Sequence, residues 1–170
     1  MKKMKGFTLI ELVVVIAILG VLAVVALPRF QNMQRDARIN VIETLHATFE
    51  EAHQRLYAKA QIPGALIPQG EQFWVDVNGN GIIDSDSGDY DQSTLYGKDG
   101  IDIMMINETN IDNHQLLKLV DVSDELVAVV GDQKHQAYIG FDMLGNNDIK
   151  NGGCRIYYDQ KKFQFSTSGC

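Results

Sequence analysis

The chain has 170 residues, 45% of them hydrophobic, with 15 Lys and Arg against 22 Asp and Glu and a formal net charge of −7. That acidic balance excludes nucleic-acid binding through a general basic surface, because neutralising phosphates takes clustered Lys and Arg. Three prolines and the lack of low-complexity repeats exclude a fibrous or wholly disordered chain, and two cysteines allow one staple but no disulfide framework.

These averages conceal a division. Between Phe7 and Leu27, 18 of 21 residues are apolar, the exceptions being Thr8, Glu11 and Gly20. The sequence beyond is only about 40% hydrophobic, a value typical of a water-soluble domain. As an α-helix the apolar block rises about 31 Å, against about 30 Å of bilayer hydrocarbon, so it predicts a membrane-spanning helix. A cleaved secretory signal has a shorter apolar core of about 7–15 residues. Lys2, Lys3 and Lys5 precede the block and favour a cytoplasmic amino end with the remainder exported, although Arg29, Arg35 and Arg38 follow closely and weaken that asymmetry. Glu11 is the anomaly, since an ionised carboxylate inside an apolar helix costs several kcal/mol in lipid. Either it reaches headgroups and water, or it needs a cation at its own depth. A free amine at Phe7, created by a cut after Gly6, is one candidate.

The run Lys5-Gly6-Phe7-Thr8-Leu9-Ile10-Glu11-Leu12, continued by Val13-Val14-Val15-Ile16-Ala17-Ile18-Leu19-Gly20, resembles the class III signal of type IV pilins and of the pseudopilins of type II secretion. The resemblance implies that a prepilin peptidase cuts between Gly6 and Phe7 and methylates the new amino-terminus. It also implies that Glu11 pairs with the terminal amine of a neighbouring subunit during filament assembly, and that Gly20 and Pro28 weaken the helix there. The run Pro28-Arg29-Phe30-Gln31-Asn32-Met33-Gln34-Arg35-Asp36-Ala37-Arg38 extends the resemblance to the type IVa branch. Loss of Lys2, Lys3 and Lys5 with the leader takes the formal side-chain charge from −7 to −10. Mutually repelling heads would then be held together mainly through their apolar helices.

After Pro28 the pattern turns amphipathic. Phe30, Met33, Ala37, Val41, Leu45, Phe49, Ala52 and Leu56 recur every three or four residues and predict one core-facing stripe, and Ile62-Pro63-Gly64 ends the run. A continuous helix from Phe7 to about Ala60 is expected, bent or weakened at Pro28. His46, Glu50 and His53 lie at helical spacing. Lacking the H-E-x-x-H order of a zinc hydrolase, they read as a solvated polar face rather than a metal site.

From Ala60 to Gly97 there is no Lys or Arg. Within this stretch Asp76-Val77-Asn78-Gly79-Asn80-Gly81-Ile82-Ile83-Asp84 matches the first nine positions of an EF-hand-like calcium loop. Oxygen ligands stand at 1, 3, 5 and 9, Gly at 6, and the Ile82 carbonyl at 7. The bidentate Glu of position 12 is replaced by Ser87, for which Asp86 or Asp89 is a substitute if the loop folds back. The alternative is a solvated Asp/Gly/Asn loop without an ion.

Short strands are predicted at Ile101–Ile106, Leu126–Val130, Gln136–Phe141, Arg155–Tyr158 and Phe163–Ser166, with a short helix or strand at Leu116–Val120. The polar cluster Asp142, Asn146, Asn147, Asp148 and Asn151 reads as turn chemistry. Cys154 and Cys170 bracket the last strand pair, and in an exported chain such a pair is most simply a disulfide. It is similar to the disulfide-bounded carboxy-terminal loop of type IV pilins.

The expected fold class is therefore α+β, a type IV pilin fold whose long amino-terminal helix packs on an antiparallel sheet head. Residues 1–6 form the cleaved leader, 7–27 the transmembrane and assembly helix, and 28–61 its amphipathic half. The head spans 62–170, with an αβ-loop at about 62–100 and a disulfide loop at 154–170. No catalytic motif such as G-x-S-x-G or G-x-x-x-x-G-K is present, and no enzyme is expected. The resemblance implies a subunit of an extracellular pilus (fimbrium) for adhesion. Its precursor would sit in the inner membrane with the head in the periplasm, and its partners would be further copies of itself, the prepilin peptidase and the assembly machinery. The competing readings are a type II secretion pseudopilin and a membrane-anchored calcium-binding head that never polymerises.

Overall fold

The computed structural model describes residues 7–70, 72–83, 102–107, 110–111, 113–131, 136–159 and 162–170, and the chain divides into two units, Met1–Ala37 and Arg38–Cys170. One helix, α1 (Leu9–Ala60), accounts for the described structure of the first unit and opens the second. It begins two residues later than expected because Thr8 takes the capping position, and assignment continues through Pro28. In the first unit the apolar side chains from Leu9 to Leu27 are exposed or nearly so and meet no core.

The second unit carries the core. Its helical residues Ile42, Leu45, Phe49, Leu56 and Ala60 are buried, spaced by three, four, seven and four residues as a one-sided stripe must be. The expected stripe included Val41, and the structure corrects that assignment. Val41 is exposed while Ile42 is completely buried, because Ile42 keeps the phase set by Leu45 and Phe49, and Val41 lies about 100° around the helix. Phe30 and Met33, also expected to face a core, are exposed.

Two antiparallel four-stranded sheets follow. The first runs in the order β1 (Leu66–Gln69), β2 (Gln72–Val75), β3 (Ile103–Asn107) and β4 (Asn110–Ile111). The second comprises β5 (Val127–Val130), β6 (Gln136–Gly140), β7 (Arg155–Asp159) and β8 (Lys162–Ser166). Between the sheets, Asn113–Lys118 forms a 3-10 helix where a short helix or strand was expected. The β1–β2 hairpin occupies a region read from sequence only as loop. Gln69 pairs with Gln72, and Gly70 adopts the positive φ of 64° that a tight hairpin turn favours. Pro68 is tolerated because β1 is an edge strand, where a missing donor costs no ladder bond.

Alternation sorts each strand of the second sheet between core and surface. Ala137 and Ile139 of β6, Ile156 and Tyr158 of β7 and Phe163 of β8 are buried and cluster with the helix stripe. Val75, Ile103, Met105, Ile111 and Leu116 complete the same core from the first sheet and the 3-10 helix. Phe49 stacks on Phe163 with ring centroids 5.5 Å apart. Cys154 and Cys170 form a disulfide with a Cα–Cα distance of 4.7 Å.

Phe49→Ala should lower the stability of the head by about 3–5 kcal/mol, the cost of a fully buried aromatic replaced by a cavity. Urea unfolding followed by the fluorescence of Trp74, the chain's one tryptophan, measures it.

Candidate functional site

The start of α1 is a reciprocal cap. The Thr8 backbone N–H and hydroxyl both donate to Glu11 Oε2, at 2.9 and 2.7 Å, and the Glu11 N–H donates back to Thr8 Oγ1 at 3.4 Å. This is the Thr-x-x-Glu capping box, in which two donors that a helix start leaves unsatisfied are paired locally. It is readable in the sequence, although the apolar context directs attention to lipid instead. Glu11 Oε1 accepts nothing among the described residues. Gly6 lies outside the described residues, and Phe7, just beside the cap, is exposed. Apart from the neighbouring backbone of the helix itself, no atom among the described residues comes within 4 Å of a Cβ added at Gly20, and Pro28 stands inside the helix. From Leu9 onward this helix is long and apolar enough to cross a membrane.

A second group of candidate residues lies directly after β2. Asp76 is only 2% exposed, and its carboxylate is caged by the chain that follows. Oδ1 accepts from Gly79 N at 2.6 Å and Asn80 N at 3.2 Å, and Oδ2 accepts from Gly81 N at 2.7 Å. Asn78 Oδ1 accepts from Asn80 N at 2.9 Å and Asn80 Oδ1 from Ile82 N at 2.7 Å. Gly79 and Gly81, both at φ 77°, adopt the left-handed conformation that lets these amides converge. The Gly81 amide, helped by those of Gly79 and Asn80 and by the Lys59 ammonium, holds the Asp76 carboxyl below the usual carboxylate range against the opposing effect of burial.

Asp76, Asn78, Asn80 and Ile82 are thus gathered in one turn, whereas Asp84, Asp86 and Asp89 lie outside the described residues. Among the described residues no three His, Cys, Asp or Glu side chains converge as a metal site. Asp102, which carries no local sequence signal, proves to anchor the loop. It is wholly buried, its Oδ1 accepts from Val77 N at 2.8 Å, and its carbonyl accepts from Lys118 Nζ at 3.1 Å.

The polar cluster after β6 repeats the same cage. Asp142 Oδ1 accepts from Gly145 N at 2.8 Å and Asn146 N at 3.3 Å, Oδ2 from Asn147 N at 2.9 Å, and Asn146 Oδ1 from Asp148 N at 3.0 Å. Positive φ falls at the matching places, Gly145 and Asn147. The Asn147 amide leads the bonds that hold the Asp142 carboxyl below its usual range.

The histidine pattern on α1 differs from expectation. His46 Nε2 lies 3.0 Å from the Phe163 carbonyl and its ring 4.9 Å from that of Phe165. The His53 ring meets Tyr158 and Phe163 edge-on, at 6.1 and 5.9 Å. Both imidazoles therefore sit in an aromatic seam against β7 and β8 rather than on a solvated face, because they share the side of the helix that carries Phe49. Burial lowers the His53 pKa, opposed by the nearby Glu50 carboxylate.

Against known proteins, residues 1–27 match the family model described as the prokaryotic N-terminal methylation motif. No curated protein and no solved structure matches. The match covers the predicted leader and the apolar start of α1, so the chain carries the methylation motif ahead of an α+β head.

Because the folded state resists protonating His53, the unfolded chain takes up more protons as pH falls below about 6.5, and stability must fall with it. Urea midpoints between pH 8 and 5 should decline in the unmutated protein and decline less in His53→Phe, which keeps the aromatic packing.

Proposed function

We propose that this chain is the structural subunit of an extracellular type IV pilus, polymerising through its amino-terminal helix and serving adhesion and surface attachment. The observation that carries the reading is the methylation motif over residues 1–27, continuous with a helix whose large apolar side chains are exposed. The run Pro28–Arg38 adds a resemblance to the major subunits of mannose-sensitive haemagglutinin pili, which favours a pilus over a secretion pseudopilin.

In this reading the precursor rests in the inner membrane with its head in the periplasm. A prepilin peptidase cuts between Gly6 and Phe7, the Phe7 amine is methylated, and pilus machinery lifts the subunit into a filament. Lateral packing of apolar helices supplies the association, and the Glu11 carboxylate compensates the Phe7 amine of a neighbour away from water. The capping box supports this step, since Thr8 occupies Oε2 and leaves Oε1 for an incoming ammonium.

We further propose that the Asp76 loop binds calcium. The donors are hard oxygens of the right class, and the amide cage shapes the chain as a loop around one ion demands. Asp76, Asn78, Asn80 and the Ile82 carbonyl would provide one side of the shell, and Asp84 with Asp86 or Asp89 the other. With the bidentate Glu absent, an affinity in the extracellular class, about 10⁻⁴–10⁻³ M, is expected.

Cells carrying the chain should shed filaments on shearing whose amino-terminal residue is methylated Phe7. Glu11→Ala should abolish those filaments while leaving membrane insertion intact. Normal filaments with Glu11→Ala would refute the amine pairing, and loss of protein secretion with surface filaments intact would assign the chain to type II secretion. Calorimetric titration of the full chain in detergent with Ca²⁺ should give saturable heat that Asp76→Ala and Asp84→Ala remove; an unmutated chain that gives none would refute the calcium site.

A further inference from the structure

Three Asn-Gly pairs occur in the chain, Asn78-Gly79, Asn80-Gly81 and Asn151-Gly152. Such pairs lose side-chain ammonia spontaneously, because a following residue without a Cβ lets its backbone nitrogen reach the Asn Cγ. In that reaction the glycine nitrogen gives up its proton and bonds to Cγ. The Cγ–Nδ2 bond then breaks, and ammonia leaves with the proton. Water next opens the cyclic imide at either carbonyl, giving aspartate or isoaspartate and one new negative charge.

The three pairs differ in the state of the attacking nitrogen. Gly79 N–H and Gly81 N–H each donate to an oxygen of the Asp76 carboxylate, at 2.6 and 2.7 Å. Removing either proton forfeits a charge-assisted hydrogen bond and sets a second negative charge against the first. The side chains are held at all three pairs and do not separate them: Asn78 Oδ1 and Asn80 Oδ1 accept from Asn80 N and Ile82 N, and Asn151 is held by Asp148. At the third pair no carboxylate among the described residues accepts from the Gly152 N–H. The group to be expelled, Asn151 Nδ2, lies 3.2 and 2.9 Å from the two Asp148 oxygens.

We propose that Asn151 is a spontaneous deamidation site, and that Asp76 protects Asn78 and Asn80 from the same reaction. The consequences differ by site. At Asn151 a carboxylate replaces the donor facing Asp148, turning two attractive contacts into a like-charge pair. The loop so loosened presents the Ile149 and Gly152 carbonyls to Arg155 Nη1, immediately beside Cys154. At Asn78 and Asn80 each conversion would add a charge to the Asp76 loop, so the cage keeps that loop's charge constant with age.

The test is ageing of the full chain in detergent with EDTA at mildly alkaline pH, with peptide mass spectrometry resolving aspartate from isoaspartate at the three positions. Native Asn151 should convert at least about tenfold faster than Asn78 or Asn80, the factor expected for loss of one charge-assisted hydrogen bond. In guanidinium chloride the three rates should converge. Asp76→Ala should raise conversion at Asn78 and Asn80 and leave Asn151 unchanged, and if that variant fails to fold the native-against-denatured comparison decides alone. Equal native rates, a gap that survives denaturation, or an unreactive native Asn151 would overturn the proposal.

Discussion

From Leu9 to Leu27 the helix satisfies its own backbone and then presents apolar side chains in every direction. A helical surface this apolar calls for lipid or other apolar helices around it rather than water. The remaining amino-terminal features follow from that demand. A helix start in a medium without water must pair its own donors, and Thr8 with Glu11 does so within four residues. Glu11 is therefore useful to its own chain, independently of any partner.

The second unit solves a different problem, that of closing a modest core with short strands. The helix stripe, the aromatic seam of His53, Tyr158 and Phe163, and the inward residues of both sheets form one cluster. Tyr158 carries a polar end into that cluster, and its hydroxyl accepts the Ile111 N–H at 3.2 Å, tying the second sheet to the short strand β4. The His53 imidazole contributes a ring more than a charge to this packing, and burial lowers its pKa.

Much of the fold was legible because long patterns average out local noise. A block of 21 residues with 18 apolar, followed by an amphipathic stripe, defines α1 to within two residues, and four of the five strands predicted beyond Gly100 lie within one residue of β5 to β8 at each end. The exact face of the helix was not legible, because Val41 and Ile42 are equally apolar and only Phe49 and the sheet fix the phase. The β1–β2 hairpin was hidden by Pro68, which reads as a strand breaker until its edge position is known. The core of the Asp76 loop was visible through its spacing. Asp102 was not, since it reaches Val77 across 25 residues of sequence and nothing local distinguishes it from any other aspartate.

Beside each cysteine of the disulfide stands a glycine, and the two backbones touch. Gly169 N donates to Gly153 O at 3.1 Å, and a Cβ on Gly169 would fall 2.7 Å from Gly153 Cα. The β7–β8 ladder, whose register places Arg155 opposite Ser166, leads into this contact. In the folded chain the strand register therefore holds the two cysteines side by side. With only two cysteines in the chain, one intramolecular pairing exists and no reshuffling is needed to find it. The bond ties the last residue of the chain to the residue just before β7, so the carboxy-terminal end is held covalently as well as by the ladder.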